Sequence, residues 1–225
     1  MNDVLKSDLI AQYRRESRDS ASPYFTSDTE LVGLFNDAVS EATQRKNLLF
    51  DASTAAVCQI AVTALLGSTY AINSAINNIA KAYLIDASGL YTYLTITSRE
   101  KLDDINPTWR EDTGIPGYII VEEGNVTITP APLVSYTMKL EVYRSPLSTE
   151  LLVTTADTSP VIALSHHRKL YHWPMYIVHG TQDDEDTYNP ERASRNLREF
   201  EKYFGFSPGS GRKRDTRLPQ VNKLW

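Results

Sequence analysis

The chain has 225 residues and a formal net charge of −5, and it is 41% hydrophobic, 23% charged and 10% aromatic. These proportions are typical of a soluble globular protein and exclude a fully disordered chain, a collagen and a coiled-coil rod. The longest mostly apolar run, residues 55–66, is too short to span a bilayer, and the first residues lack the pattern of a secretory signal. A single cysteine, Cys58, excludes an intramolecular disulfide framework and fits a reducing cytosol.

Two helices are predicted in the first fifty residues. The first covers 8–18 and is ended by the break at 20–23. The second begins after Ser27, because Ser27 and Glu30 have the spacing of a capping box. Its apolar stripe recurs at helical spacing as far as residue 46 and consists of Leu31, Leu34, Phe35, Ala38, Val39 and Ala42.

From residue 54 the apolar period changes to two, which predicts strands. The predicted strands cover 55–62, 70–72, 79–86, 90–95, 118–121, 126–129 and 136–143. Hairpin turns are predicted at 87–89 and 123–125, where glycine lies between strand patterns. A short helix begins at Ser98 and ends before Pro107.

The last third of the chain is predicted to return to helices. A loop at 145–160, with a short strand at 151–154, precedes helical spacing at 164–177, and Pro174 predicts a kink or break there. After an acidic loop at 183–186, the last helix begins with Asn189 as N-cap and Pro190 at its first position, and Gly205 ends it.

The predicted fold class is therefore α+β. Residues 1–50 and 160–205 form a helical bundle, because neither pair of helices can bury its apolar stripe alone. Residues 54–145 form an inserted antiparallel β domain, and 206–225 form an extended basic C-terminal tail.

The groups that resemble catalytic or metal-binding motifs have simpler explanations. The four histidines, His166, His167, His172 and His179, lack the i, i+4 spacing that holds one metal on a helix, which favours structural or surface roles. Ser98 and Lys101 match the Ser-x-x-Lys pattern of serine acyl-enzymes, but its companion motifs are missing, so Ser98 is predicted to be a helix N-cap. Cys58 is predicted to be a buried small hydrophobe. We therefore predict a protein that is not an enzyme and that uses no cofactor or metal.

The charge is distributed unevenly along the chain. Residues 206–225 carry a net charge of +4, so the other 205 residues carry −9. The basic tail is either a solvated terminus or a docking peptide, and its Leu224-Trp225 end favours docking. The acidic residues Asp183, Asp184, Glu185 and Asp186 form either a solvated loop or an interface patch. Thirteen tyrosines against six phenylalanines favour protein interfaces, which are enriched in tyrosine.

The order of several short motifs is more informative than any one of them. The capped helix Phe-Thr-Ser-Asp-Thr-Glu-Leu is followed by Thr-Ser-Arg-Glu-Lys-Leu-Asp, Trp-Arg and Thr-Gly-Ile-Pro. A Tyr-Ile-Ile to Pro-Ala-Pro hairpin, the strand Leu-Glu-Val-Tyr-Arg, the acidic Asp-Asp-Glu-Asp-Thr-Tyr-Asn-Pro and a final Phe-Gly come next. The motifs occupy 25–31, 97–103, 109–110, 113–116, 118–132, 140–144, 183–190 and 204–205. Over roughly residues 5–205, the chain resembles the head-to-tail adaptor (connector) proteins of tailed phages, of the tail tubular protein A type of short-tailed phages.

This resemblance implies a virion structural protein of the neck, assembled in the host cytoplasm. Such adaptors form a ring, usually a dodecamer, between the portal protein and the tail nozzle or tail tube protein, and DNA passes through the centre. An acidic body fits this role, because it repels phosphate and lets DNA slide. The expected portal contacts are tail residues, namely Arg212, Lys213, Arg214, Arg217, Leu218, Leu224 and Trp225.

One alternative from a different class remains at this stage. A minor tail or capsid-associated interaction protein with the same helix-plus-sheet composition would bind a tail or capsid protein and ignore the portal.

Overall fold

The structure is a computed structural model that describes residues 4–19, 21–64, 68–181 and 187–207. The helices are α1 (Lys6–Ser17), α2 (Asp28–Lys46), α3 (Ala55–Cys58), α4 (Arg99–Ile105), α5 (Leu164–His167), α6 (His172–Gly180) and α7 (Pro190–Phe204). The strands are β1 (Phe50–Asp51), β2 (Gln59–Val62), β3 (Thr69–Ala71), β4 (Ile76–Ile85), β5 (Tyr91–Thr97), β6 (Thr113–Gly114), β7 (Tyr118–Glu122), β8 (Asn125–Thr129), β9 (Ala131–Pro132) and β10 (Tyr136–Arg144). A 3₁₀ turn, Ser148–Glu150, follows β10.

Eight strands form one curled sheet that resembles half of a barrel. Its order is β1-β10-β4-β5-β7-β8-β3, and β2 also pairs with β10. Strands β5 and β7 are parallel, because α4 carries the chain across one face between them. The other pairs of this sheet are antiparallel, while β6 and β9 form a separate parallel pair.

The predicted helical bundle with an inserted antiparallel β domain is wrong. The architecture is mixed α/β, organised around the curled sheet. Apolar periodicity identified most strands, but it carries no information on which strands pair or in which direction. The helix that begins after Ser98 is a crossover connection, and residues 50–51, directly after α2, join the sheet as a strand.

Two main hydrophobic cores lie on either side of the junction between α2 and β1. One core contains side chains of α1, α2, α6 and α7, with Leu9, Phe35 and Phe200 fully buried. The other consists mainly of side chains of the sheet and includes Leu84, Ile128 and Met138. A third, small cluster under α4 consists of Leu102, Trp109 and Ile120.

The predicted helix starts are confirmed where a cap defines them. Ser27 Oγ accepts a hydrogen bond from the Glu30 N–H at 3.2 Å, and Asn189 Oδ1 accepts one from the Arg192 N–H at 2.9 Å. Gly205 follows α7 with φ +97°, a conformation that favours glycine.

Three local predictions are wrong. Residues 55–58 form a single helical turn, so only the second half of the predicted 55–62 strand exists. Residues 151–154 form no strand. Pro174 lies in the first turn of α6, where its missing N–H costs no helical hydrogen bond, and the break falls earlier, at 168–171. None of the described helices is long and apolar enough to cross a membrane.

Candidate interaction surfaces

Two groups of predicted functional residues lie outside the described residues. The first is the predicted portal-binding set Arg212, Lys213, Arg214, Arg217, Leu218, Leu224 and Trp225. The second is the acidic loop of Asp183, Asp184, Glu185 and Asp186. Their roles stay predictions.

Three of the four histidines each contact a different hydrogen-bond partner, whereas the His166 ring packs against Tyr203 and Phe204. His167 Nε2 lies 2.8 Å from the Ile162 carbonyl, His172 Nδ1 lies 2.9 Å from Asn196 Oδ1, and His179 Nδ1 lies 2.7 Å from the Thr187 carbonyl. Burial lowers the pKa of His172 and His179, which favours their neutral forms. Over the described ranges, no three His, Cys, Asp or Glu side chains are grouped so that they could hold a metal ion.

Ser98 and Cys58 have structural roles. Ser98 Oγ accepts a hydrogen bond from the Lys101 N–H at 3.4 Å and caps α4, as the sequence predicted. Cys58 is buried at the end of α3, and burial, together with the nearby Asp51 charge, raises the pKa of its thiol to about 11. A thiol with this pKa is protonated at neutral pH and is a poor nucleophile.

A buried ion network that the sequence did not predict joins β1, β10 and the 3₁₀ turn. Arg144 Nε lies 2.7 Å from Asp51 Oδ2, and its two terminal nitrogens lie 2.6 and 2.7 Å from the Glu150 carboxylate. Burial opposes ionisation of Asp51. Hydrogen bonds from the Thr54 and Ser53 N–H groups and from Arg144 outweigh it and hold the Asp51 pKa below its ordinary range.

The same network shifts the pKa values of its other two members. The Glu150 carboxylate, and then Asp51, raises the pKa of Arg144 against the effect of burial, and Arg144 in turn lowers the pKa of Glu150. All three groups are therefore charged at neutral pH. The network ties β1 and the 3₁₀ turn to the end of β10.

Large, mostly apolar side chains are exposed to solvent at the other end of the sheet, near the start of β10. Tyr91 and Tyr93 lie on β5 with 56% and 71% of their surface exposed, and their rings pack 5.5 and 5.7 Å from the ring of Tyr83 on β4. The strand register brings further apolar residues to this end. Tyr91 is opposite Ile85, which is opposite Thr137 near the start of β10, and β7 begins beside Thr95.

We call this surface the sheet-end patch, and it consists of Leu90, Tyr91, Tyr93, Ile115, Leu133 and Val134, each more than half exposed. Exposed apolar side chains that lie together at one end of a sheet, unlike single scattered ones, are typical of an interaction surface.

A second exposed group lies among the helices, and we call it the helical patch. It consists of Tyr24, Phe25 and Tyr188, which are 46%, 62% and 39% exposed. The Arg14 guanidinium lies 3.4 Å from the centre of the Tyr24 ring. Phe25 and Tyr188 line one cavity of about 170 Å³ between the ends of α1, α6 and α7, so they form one surface.

The arrangement supports binding between proteins and offers no grouped nucleophile, base and orienting residue over the described ranges. The tyrosine surplus was the sequence signal for an interface. Which tyrosines are exposed depends on the face that each element turns towards a core, since Tyr13 on α1 is 1% exposed and Tyr93 on β5 is 71% exposed. In comparisons with known proteins, no protein-family model and no curated protein matches the chain.

Proposed function

We propose that the protein is a virion structural protein, a head-to-tail adaptor that forms a ring between the portal protein and the tail nozzle. DNA passes through the centre of this ring. The ordered motifs of the chain, from the capped helix at Ser27 to Phe204-Gly205, support this proposal through their resemblance to such adaptors.

The observation that carries the proposal is the presence of two separate exposed apolar patches. A closed ring of identical subunits needs head-to-tail contacts, in which one surface of a subunit meets a different surface of the next. The sheet-end patch and the helical patch belong to elements of different hydrophobic cores, so one subunit offers two distinct surfaces. A dimer with a single twofold axis would need only one.

The charge distribution supports the same role. The 205 residues before the tail carry −9, so a channel formed by this body would repel DNA phosphates rather than hold them. The tail carries +4, and its arginines and its Leu224-Trp225 end would contact the portal.

The test is to mix the full-length protein with the portal protein encoded by the same genome and to image the mixture by negative-stain electron microscopy. We expect an additional ring stacked under the portal. A double variant, Tyr93→Ser with Ile115→Ser, removes two of the most exposed side chains of the sheet-end patch and is expected to lose or fragment the ring. Ile105→Ser is the matched control, because Ile105 is 57% exposed on α4 outside both patches.

Bare portals beside free protein at high concentration would contradict the adaptor function. That result would favour the minor tail or capsid-associated alternative. A normal ring with the double variant would remove the sheet-end patch from the subunit contacts and leave the adaptor function standing.

A further inference from the structure

The cavity of the helical patch contains a buried hydrogen-bond acceptor without a donor. His179 lines this cavity and is 6% exposed. Its Nδ1 lies 2.7 Å from the Thr187 carbonyl oxygen, which can only accept, so Nδ1 carries the proton of the neutral ring. Nε2 is then the acceptor, and it is buried and contacts no donor in the described part of the chain. Because a buried acceptor without a partner costs free energy, a donor that reaches Nε2 would be bound there.

The other buried polar side chains around this cavity already have partners. Asp19 accepts hydrogen bonds from the Arg14 guanidinium and from the N–H groups of Phe25 and Thr26. The Tyr13 hydroxyl lies 3.3 Å from Thr26 Oγ1. What the cavity lacks is therefore one hydrogen-bond donor at its histidine.

The cavity has the size and the walls to hold one aromatic ring. Its volume is about 170 Å³, and a cavity of about 150 Å³ holds a benzene ring. Phe25, Val178 and Tyr188 provide apolar surface on its walls. A fitting occupant combines one flat apolar ring with one donor, which is the chemistry of a tyrosine side chain.

The sheet-end patch offers such a side chain on the other surface of the subunit. Of its six residues, only Tyr91 and Tyr93 carry a hydrogen-bond donor in the side chain. Tyr93 is the more exposed of the two, at 71%. Its strand, β5, contributes to the hydrophobic core of the sheet, whereas the cavity lies between helices that form the other core.

We propose that Tyr93 of one subunit enters the helical-patch cavity of the next subunit, where its hydroxyl donates a hydrogen bond to His179 Nε2. This inference rests on the proposed ring and assigns both patches to one head-to-tail interface. The Tyr93 ring would bury its exposed surface against the apolar walls, and its hydroxyl would satisfy the unpaired acceptor.

Binding of p-cresol, which has the ring and hydroxyl of tyrosine, tests the cavity in the free full-length protein. We expect p-cresol to shift the NMR signals of the His179 ring, and toluene, which lacks the hydroxyl, to bind at least about tenfold more weakly. His179→Asn identifies these signals, because its amide can still donate to the Thr187 carbonyl. His179 signals that p-cresol leaves unchanged would overturn the proposal.

Tyr93→Phe tests the contact in the ring, because it removes the hydroxyl and keeps the aromatic ring. On the portal, we expect the protein concentration for half-complete rings to rise at least about tenfold. Tyr91→Phe is the matched control, since it removes the same group two residues away and should leave this concentration unchanged. In a His179→Asn background, Tyr93→Phe should have no further effect.

Cross-linking tests the location. Tyr91→Cys, which keeps Tyr93, is mixed on the portal with Ser17→Cys, a position that lines the cavity, and a short bis-maleimide is added. The native Cys58 is buried in both variants. We expect dimers that contain one chain of each variant, and few of them when Ile105→Cys replaces Tyr91→Cys. Absence of mixed dimers from complete rings would overturn the proposed contact.

The outcomes separate this contact from the adaptor function. Wild-type rings together with equally stable Tyr93→Phe rings would overturn the contact and leave the adaptor function standing. Bare portals with the wild-type protein would overturn both, whatever the result with p-cresol.

Discussion

Replacement of Arg144 by methionine should destabilise the protein strongly, because Arg144 neutralises two carboxylates at once. Its side chain is 6% exposed, and the Asp51 side chain is 4% exposed. Without the guanidinium, Asp51 keeps hydrogen bonds from the Ser53 and Thr54 N–H groups at 2.9 and 3.0 Å but loses its buried counter-ion. Glu150 keeps the Leu147 N–H and is 24% exposed, so water reaches part of its charge.

The magnitude follows from these two environments. Removal of one partner of a buried ion pair costs about 3–5 kcal/mol, and the partial exposure of Glu150 places the expected loss near the lower end, about 3 kcal/mol. For a chain of this length that loss lowers the melting temperature by roughly 6–12 °C. Urea unfolding followed by circular dichroism measures the free energy directly.

The pH dependence provides an independent check of the mechanism. The folded pKa values of Asp51 and Glu150 are depressed, so their contribution to stability is present above their unfolded pKa values of about 4 and is lost as pH falls from there through the lower folded pKa values. In Arg144→Met, protonation of Asp51 and Glu150 should therefore lower the free energy of unfolding by less than it does in the wild type. Arg110→Met is the control, because Arg110 is paired with Asp103 on the surface and its loss should leave the urea midpoint nearly unchanged. An Arg144→Met midpoint equal to that of Arg110→Met would refute the reasoning.

Three further outcomes are expected. Burial lowers the pKa of His172, so the imidazole of the unfolded chain is protonated at a higher pH than that of the folded chain, and the free energy of unfolding falls as pH drops below about 6.5. His172→Gln should therefore flatten the dependence of the urea midpoint on pH between about 5 and 7. Cys58, with its pKa raised to about 11, should react with a disulfide reagent at pH 8 roughly 100-fold more slowly in native than in unfolded protein, and equal rates would contradict its burial. Gly124 has φ +75° in the β7–β8 turn with no atom within 4 Å of an added Cβ, so Gly124→Ala should cost about 1 kcal/mol of unfolding free energy through backbone strain alone. Gly33→Ala, inside α2 with equal space, should gain up to about 1 kcal/mol instead.

Elements whose signals are local could be predicted from the sequence. Asn189, Pro190 and Gly205 define both ends of α7 because each acts on backbone groups within four residues of itself. Residues 55–58 show the opposite case. Alternating apolar residues predicted a strand there, but Asp51 is fixed by Arg144, 93 positions further along, and the chain after it turns into α3.

The candidate surfaces likewise have one feature that the composition predicted and one that it did not. The excess of tyrosine over phenylalanine was visible in the composition, but the sheet-end patch depends on the register of β4, β5 and β10, which no local pattern encodes. The predicted fold class is wrong for the same reason. The parallel pairing of β5 with β7 follows from the passage of α4 over the sheet, and a period of two residues is the same in parallel and antiparallel strands.

The pairing of β10 with three other strands has a consequence for synthesis on the ribosome. β1, β2 and β4 all pair with this strand, so the sheet cannot close until residue 144 has left the exit tunnel. The helical core can form only later still, because Phe35 of α2 packs in the same cluster as Phe200 of α7. At about 5–20 residues per second, α2 emerges roughly 10–30 s before its last partner. The nascent chain therefore exposes the apolar stripe of α2 for most of its translation, a period in which a holding chaperone would find its binding site.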